Sequence, residues 1–302
     1  MRPTIRPVRR LLVGAALLTV AAVVPLSSTD DPVTARVAAT VASDACGPVR
    51  FKANGTAWTC TFVDRFDGTT LDTSKWSVQK TSIAGFRTGR TCYTASPRNV
   101  SVRDGGLHLV AVEGPRIVCR NPLDNFGTRY TGGMVGTRGN FSQAYGRFEV
   151  RAMYPTAQVS GVHGGFWMYP REHTYGIWPY SGEIDVAEWW SSDPTLVLPS
   201  LHYKGRDPDA DSGWSCRVAD VSTFHTYAVE WYRTTMRFFI DGAMCWERSW
   251  QPDAPLVAPQ PFDRPFSMIL NMGVGTATGV NKITARTPFP ATYVVDYAKA
   301  WR

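Results

Sequence analysis

The chain has 302 residues, 44% of them apolar and only 19% charged, enough for one large packed domain or two small ones. Its net charge of +7 owes much to Arg2, Arg6, Arg9 and Arg10 at the very start. The remainder is weakly basic with no long Lys/Arg run, which argues against a nucleic-acid-binding surface. Aromatic residues reach 12%, including 11 Trp and 12 Tyr. Besides filling a core, they offer flat apolar faces on which sugar rings stack.

The first segment reads as an export signal. A basic stretch ends at Arg10, and an apolar run over residues 11–24 follows, broken at Pro25. That run is short of the roughly 20 apolar residues a membrane span needs and has the basic-then-apolar layout of a signal peptide. Residues 1–44 are therefore expected to be a signal peptide followed by a small-residue, polar, disordered segment, and residues 45–302 one folded domain. All six Cys (46, 60, 92, 119, 216 and 245) lie beyond the signal region. An even number in an exported chain implies disulfides. Of the 15 possible pairings, the nearest in sequence is favoured: Cys46–Cys60, Cys92–Cys119 and Cys216–Cys245.

Beyond residue 45 the sequence breaks into short alternating segments with turn residues between them, at 99–102, 107–112, 145–153, 227–232, 237–240 and 293–297. Thr234-Thr235 makes one hairpin turn and Asp241-Gly242 another. No amphipathic helix of ten residues stands out, because the 26 Gly and 21 Pro recur too often. Many short strands with regular turns and no linker point to one all-β sandwich or barrel.

The most informative segment is Ser181-Gly182-Glu183-Ile184-Asp185-Val186-Ala187-Glu188-Trp189-Trp190. Side chains on a strand alternate faces, so Glu183 and Asp185 share one face while Ile184 and Val186 enter the core. A regular strand would turn Glu188 into the core, a costly place for a charge. One β-bulge between Asp185 and Glu188 returns it to the acidic face. Three carboxylates held together repel, and that pushes one pKa up, giving a protonated acid beside an ionised one. Glycoside hydrolysis uses such a pair. The same spacing also suits a solvated acidic edge or a calcium site.

Gly182-Glu183-Ile184-Asp185-Val186-Ala187-Glu188 resembles the E-x-D-x-x-E signature of glycoside hydrolase family 16 in its bulged, laminarinase-like form. Further blocks resemble the family in the same order, from Phe62-Val63-Asp64-Arg65-Phe66 and Tyr145-Gly146-Arg147-Phe148 to Leu270-Asn271-Met272-Gly273 and Val295-Asp296-Tyr297. The resemblance implies a concanavalin-like jelly-roll β-sandwich of two curved antiparallel sheets, with polysaccharide in a concave cleft. It implies a retaining mechanism with Glu183 as nucleophile, Glu188 as general acid/base and Asp185 between them tuning both. No cofactor is required for catalysis, and Asp296 matches a position that can hold a structural calcium.

For substrate contact the resemblance and strand parity nominate Asn99, His163, Trp167, Trp178, Trp189, His202 and Asn271. His163, His202 and Trp178 each also have an ordinary structural reading. Many β-1,3-glucanases of the family read Gly-Leu-Trp-Pro-Ala-Phe-Trp where this chain has Gly161-Val162-His163-Gly164-Gly165-Phe166-Trp167, so one subsite is expected to be reshaped. The reading is a secreted, monomeric endo-β-glycanase, free of the membrane once its signal is removed, with β-1,3-glucan as first substrate. Alternatives are a galactan-active hydrolase or transglycosylase of the same family, and a non-catalytic, lectin-like carbohydrate-binding protein.

Overall fold

The structure is a computed structural model and describes residues 42–302. The expected signal peptide and most of the polar segment after it lie outside the described residues. Strands β1 (Ser43–Asp44), β2 (Gly47–Pro48), β3 (Cys60–Asp64) and β4 (Ser77–Val78) lead into α1 (Thr81–Ala84), a single helical turn. Strands β5 (Thr91–Tyr93), β6 (Val100–Arg103), β7 (Gly106–Cys119), β8 (Phe126–Gly136) and β9 (Gly146–Met153) follow. Next come β10 (Val162–Pro170), β11 (Glu183–Trp190), β12 (Val197–His202), β13 (His225–Trp231), β14 (Met236–Ile240) and β15 (Ala243–Arg248). The described chain ends with β16 (Phe266–Val274) and β17 (Ala291–Trp301).

Two sheets form, as expected for a jelly roll. One runs β12-β11-β10-β16-β8 with β4 beside β8, and the other runs β7-β17-β9-β13-β14-β15 with β6 on β7 and β3 on β17. The long β7–β8 hairpin belongs to both, so a single hydrogen-bonded path passes through the sandwich. The pairing is antiparallel except for β5, which lies parallel to β8.

Pleating sorts the side chains. Phe148, Val150 and Ala152 of β9, Leu107, Leu109 and Ala111 of β7, and Tyr227, Val229 and Trp231 of β13 meet Val162, Phe166 and Met168 of β10, Ile184 of β11 and Leu270 of β16 in one core. Each such Val, Leu, Ile, Phe or Met side chain contributes roughly 1.5–3 kcal/mol through removal from water. β16 is buried along its whole length because the core lies on one face and the floor of a cleft on the other.

The β14–β15 turn has Asp241 at φ 50° and Gly242 at φ 80°, the two left-handed positions of a tight hairpin. Asp241 also accepts hydrogen bonds from the Thr226 amide at 2.8 Å and the His225 ring at 2.6 Å, so His225 braces this corner.

All three disulfides pair nearest neighbours in sequence, Cys46–Cys60, Cys92–Cys119 and Cys216–Cys245. Cys92–Cys119 ties β5 to the far end of β7 across 27 residues and fixes the loop before β5. Closing a loop of that length should stabilise by about 3–4 kcal/mol on the chain-entropy estimate. A C92S/C119S double variant is expected to lose a large part of that in urea unfolding, with a steeper dependence on denaturant because the uncrosslinked unfolded chain exposes more surface. An unchanged midpoint would show that the β5–β8 pairing alone holds the loop.

Candidate active site

β11 carries the chemistry. Against β12 it pairs Asp185 with Ser200 and Glu188 with Leu198, and the register slips between them. Against β10, Phe166 faces Ala187 and Trp167 faces Asp185, leaving Val186 as the additional residue. Ile184, Val186, Ala187 and Trp189 are buried in the core, while Glu183, Asp185 and Glu188 all line one cleft. Bulge geometry leaves backbone groups in need of partners, and the Tyr154 phenol donates a 2.7 Å hydrogen bond to the Ala187 carbonyl.

Strand register draws the cleft floor row by row. Glu188 lies opposite Gly165, Gly165 opposite Asn271, and Asn271 opposite Met134, a straight line across four strands. The cleft has a volume of about 420 Å³ and is walled by Trp178 on one side and by Phe86, Arg87, Thr88 and Gly89 on another. Trp178 is 52% exposed, a flat ring open to solvent beside the acids. Trp167 donates its indole N–H to Asn271 Oδ1 at 2.8 Å, Asn271 Nδ2 donates to the Tyr93 hydroxyl at 3.0 Å, and Tyr93 donates to Thr88 at 2.9 Å. This relay couples the floor to the loop.

Two histidines hold the acids. His202 Nε2 lies 2.8 Å from Asp185 Oδ2 and 4.0 Å from Glu183 Oε1. His163 Nε2 lies 3.1 Å from Glu188 Oε1, with its ring packed on Trp190 at 4.0 Å. Burial lifts Glu183 well above the usual carboxylate range, and the charges of Asp185 and Glu188 add to the lift. Asp185 is raised as well, its burial outweighing the bond from His202. Burial acts on Glu188 in the same sense, but the hydrogen bond and charge of His163 overcome it and leave Glu188 lowered. The three therefore titrate as one unit rather than as independent groups.

A family model described as glycosyl hydrolases family 16 matches residues 89–298. The chain belongs to glycosyl hydrolase family 16. It is accordingly a glycoside hydrolase, of a family that needs no cofactor for catalysis. It is 34% identical over 256 residues to a beta-glucanase of Rhodothermus marinus, covering 81% of this chain and 85% of that protein. It is 33% identical over 256 residues to glucan endo-1,3-beta-glucosidase A1 of Niallia circulans, covering 79% of this chain. This chain spans only 37% of that relative's length. Among solved structures, the laminarinase from Rhodothermus marinus superposes with a TM-score of 0.67 at 32% identity, over 81% of this chain and 97% of that one.

Within this family-16 cleft, His163, Trp167, Trp178 and Asn271 all line the cavity with the three acids, and His202 stands behind Asp185. Two expectations are corrected. Trp189 was expected on the cleft, yet it is fully buried, donates to the Pro194 carbonyl and stacks on Tyr154; with Glu188 on the cleft face, parity sends Trp189 to the core and Trp190 to the cleft side. Asn99 is buried away from the cleft, its amide spent on the Val110 carbonyl and the Thr131 hydroxyl. Asp296 pairs with Arg151 at 2.7 Å and joins no group of possible metal ligands among the described residues. Asp44, Cys46 and Cys60 lie close together, but both sulfurs are in a disulfide and offer no thiolate. Among the described residues, Glu183, Asp185 and His202 are the other group that brings three ligand-type atoms within reach of one another.

The two consecutive glycines also divide. Gly164 faces the core, where a Cβ would sit 3.0 Å from the Met272 sulfur, whereas a Cβ on Gly165 would meet nothing closer than 3.5 Å. Only Gly165 opens the cleft floor. Phe86, Arg87, Thr88 and Tyr169 complete the site without any local sequence signal. Loop residues 86–89 reach it through the Cys92–Cys119 tether and the Tyr93–Thr88 bond, which no spacing rule reveals.

Holding Glu183 with a raised pKa costs stability. The folded state binds its proton more tightly than the unfolded chain, whose reference value is 4.5, so stability falls as pH rises from about that value through the folded pKa. Glu183→Gln removes that loss. The variant should melt about 2 °C or more above the wild type at pH 7, with the gap closing below pH 4.5, as followed by calorimetry across pH. A lower melting temperature at pH 7 would contradict the electrostatic account of the cluster.

Proposed function

We propose that the chain is a secreted, retaining endo-β-1,3-glucanase, with Glu183 as nucleophile, Glu188 as general acid/base and Asp185 as the group that orients Glu183. The observation that carries this reading is the bulged β11, which keeps all three carboxylates on the cleft floor despite their repulsion. Export is supported by the three disulfides and by the basic-then-apolar start of the sequence. All three acids come from one strand, so the reading needs no second copy of the chain.

In the first step the Glu183 carboxylate attacks the anomeric carbon, the bond to the leaving oxygen breaks, and Glu188 gives that oxygen its proton. Water then attacks the glycosyl ester on the same face that the leaving group vacated, Glu188 takes the proton of the water, and Glu183 departs as carboxylate. Inversion occurs twice, so configuration is retained. Retention asks for carboxyls about 5–5.5 Å apart. Trp178 offers the stacking face beside the acids, and Trp167, Asn271 and the 86–89 loop line the path of the sugars beyond the cleavage point.

The first step requires the proton on Glu188, whose carboxyl lies 3.1 Å from His163 Nε2 and is held below the usual carboxylate range by that contact. Removing this bond takes away the influence that lowers Glu188. His163→Phe should therefore move the alkaline limb of the kcat/KM profile to higher pH, because the acid form persists further. A limb that stays in place would assign His163 to sugar contact alone.

The reading is tested by reducing-sugar release from laminarin, lichenan, agarose and porphyran, with Glu183→Gln beside the wild type. Hydrolysis of laminarin that falls by at least about 10³-fold in the variant is the expected result. Selective hydrolysis of a galactan would keep the chemistry and reassign the substrate, an outcome to which the open floor at Gly165 lends weight. Binding with no hydrolysis by the wild type would overturn the enzymatic reading.

A further inference from the structure

The β7–β8 hairpin carries a second groove beyond the 86–89 wall. Two cavities lie there, of about 420 and 500 Å³. Glu113 lines both, and Tyr130 of the first stacks on Phe289 of the second at 5.5 Å, so the two are neighbours across one aromatic ridge. Arg90, Arg116 and Arg129 line the first, and Arg98 and Arg103 line the second. None of the catalytic acids reaches either. The groove nonetheless begins one residue from the active site, since Gly89 lines the catalytic cleft and Arg90 the first cavity.

Charge is concentrated in this groove. Residues 45–302 hold 27 Arg and Lys against 22 Asp and Glu. Five of those Arg, with a single Glu, line the two cavities, which leaves the rest of the domain close to neutral. They are spread over residues 90–129 and make no run in the sequence. Arg103 pairs with Asp104 and Arg129 with Glu113, both at the surface, where an ion pair is weak and a ligand can displace it. The other three make no ion pair among the described residues. Two guanidiniums converge by construction. Arg116 falls where the register of β7 against β8 shifts between Glu113 and Ile117, an irregularity of the kind that re-aims side chains. It lies across Gly127, where a Cβ would come within 2.8 Å of its Nη2. Arg90 Nη2 donates to the carbonyl of the same glycine at 3.2 Å. Across the hairpin, Arg129 Nε donates to the Gly114 carbonyl at 3.3 Å. A guanidinium has five N–H donors, so these anchors leave most of them for a ligand.

We propose that this groove is a non-catalytic binding site for an acidic polysaccharide, whose carboxylate or sulfate groups pair with Arg90, Arg116 and Arg129 while a sugar ring packs on the Tyr130–Phe289 ridge. The planar fork of arginine matches the oxygens of both anions, and anions that repeat along a polymer engage several forks at once. The groove holds the hydrolase on a charged matrix with its cleft nearby and takes no part in the reaction. The proposal goes beyond the glucanase reading and does not depend on which glycan the cleft cleaves.

The test is electrophoretic retardation of the purified protein in gels containing polygalacturonate, dextran sulfate or neutral dextran. Wild type is expected to be retarded by at least one charged polymer and not by dextran, and the retardation should fall with added salt. R116Q/R129Q should weaken binding at least about tenfold. R65Q/R233Q removes the same charge from exposed positions elsewhere and should weaken it less than about threefold. G127A removes no charge but displaces Arg116, and should weaken binding as well. Melting temperature and laminarin hydrolysis should stay at wild-type values in all three. Equal weakening by the two double variants would reduce the effect to bulk charge and overturn the site. So would a wild type that neither charged polymer retards, or one that binds single-stranded DNA more tightly than both.

Discussion

The β-bulge that absorbs Val186 is what the site depends on. Were β11 to run through Val186 in strict alternation, Glu188 would point into the apolar core; the bulge prevents this. With it, Ile184, Val186, Ala187 and Trp189 stay inside while three acids stay outside. The core side of the bulge is secured as firmly as the cleft side. Tyr154 closes on the Ala187 carbonyl while stacking between Trp189 and Tyr293 at 5.2 and 4.6 Å. Since Tyr293 belongs to β17, the opposite sheet buttresses the irregularity in the catalytic strand.

The fold treats acids in two ways. On the other sheet Glu149 is 1% exposed yet fully partnered, with Arg147 at 2.6 Å, Arg50 at 3.2 Å and the Tyr297 hydroxyl at 2.9 Å, and Arg147 also reaches Glu230 at 3.0 Å. A buried charge with that many donors is neutralised where it stands. In the cleft, by contrast, no arginine or lysine touches Glu183, Asp185 or Glu188 among the described residues, and two histidines serve instead. A histidine can yield its proton near neutral pH, which a guanidinium cannot. The cleft thus keeps its carboxylates able to exchange protons, while the other sheet locks its own.

Much of this was legible in the sequence because it was local. The alternation of β11, the bulge demanded by the spacing of Asp185 and Glu188, the Asp241-Gly242 hairpin and the disulfide pairing each follow from residues close together in the chain. The errors arose where local pattern ran out. Trp189 and Trp190 are adjacent, and which of them meets the cleft depends on where the bulge ends. Asn99 looks like a free amide until the Val110 and Thr131 strands are folded against it. The parallel β5–β8 pair and the 86–89 wall are products of chain closure across the sandwich.

The division of labour along β10 and β16 has a consequence for how such a protein can change. Positions 163, 165, 167 and 169 and positions 267, 269 and 271 belong to the cleft, and the residues between them belong to the core. Single substitutions in the first set rewrite the surface offered to a sugar while the interior stays as it was. Inserting or deleting one residue in either strand would exchange the two sets beyond that point, placing Phe166 and Met168 in the cleft and His163 or Asn271 in the core. Descendants of this sequence can therefore drift in specificity by replacing letters within the strands, and can change length in the connecting loops or where a bulge absorbs the extra residue, as in β11.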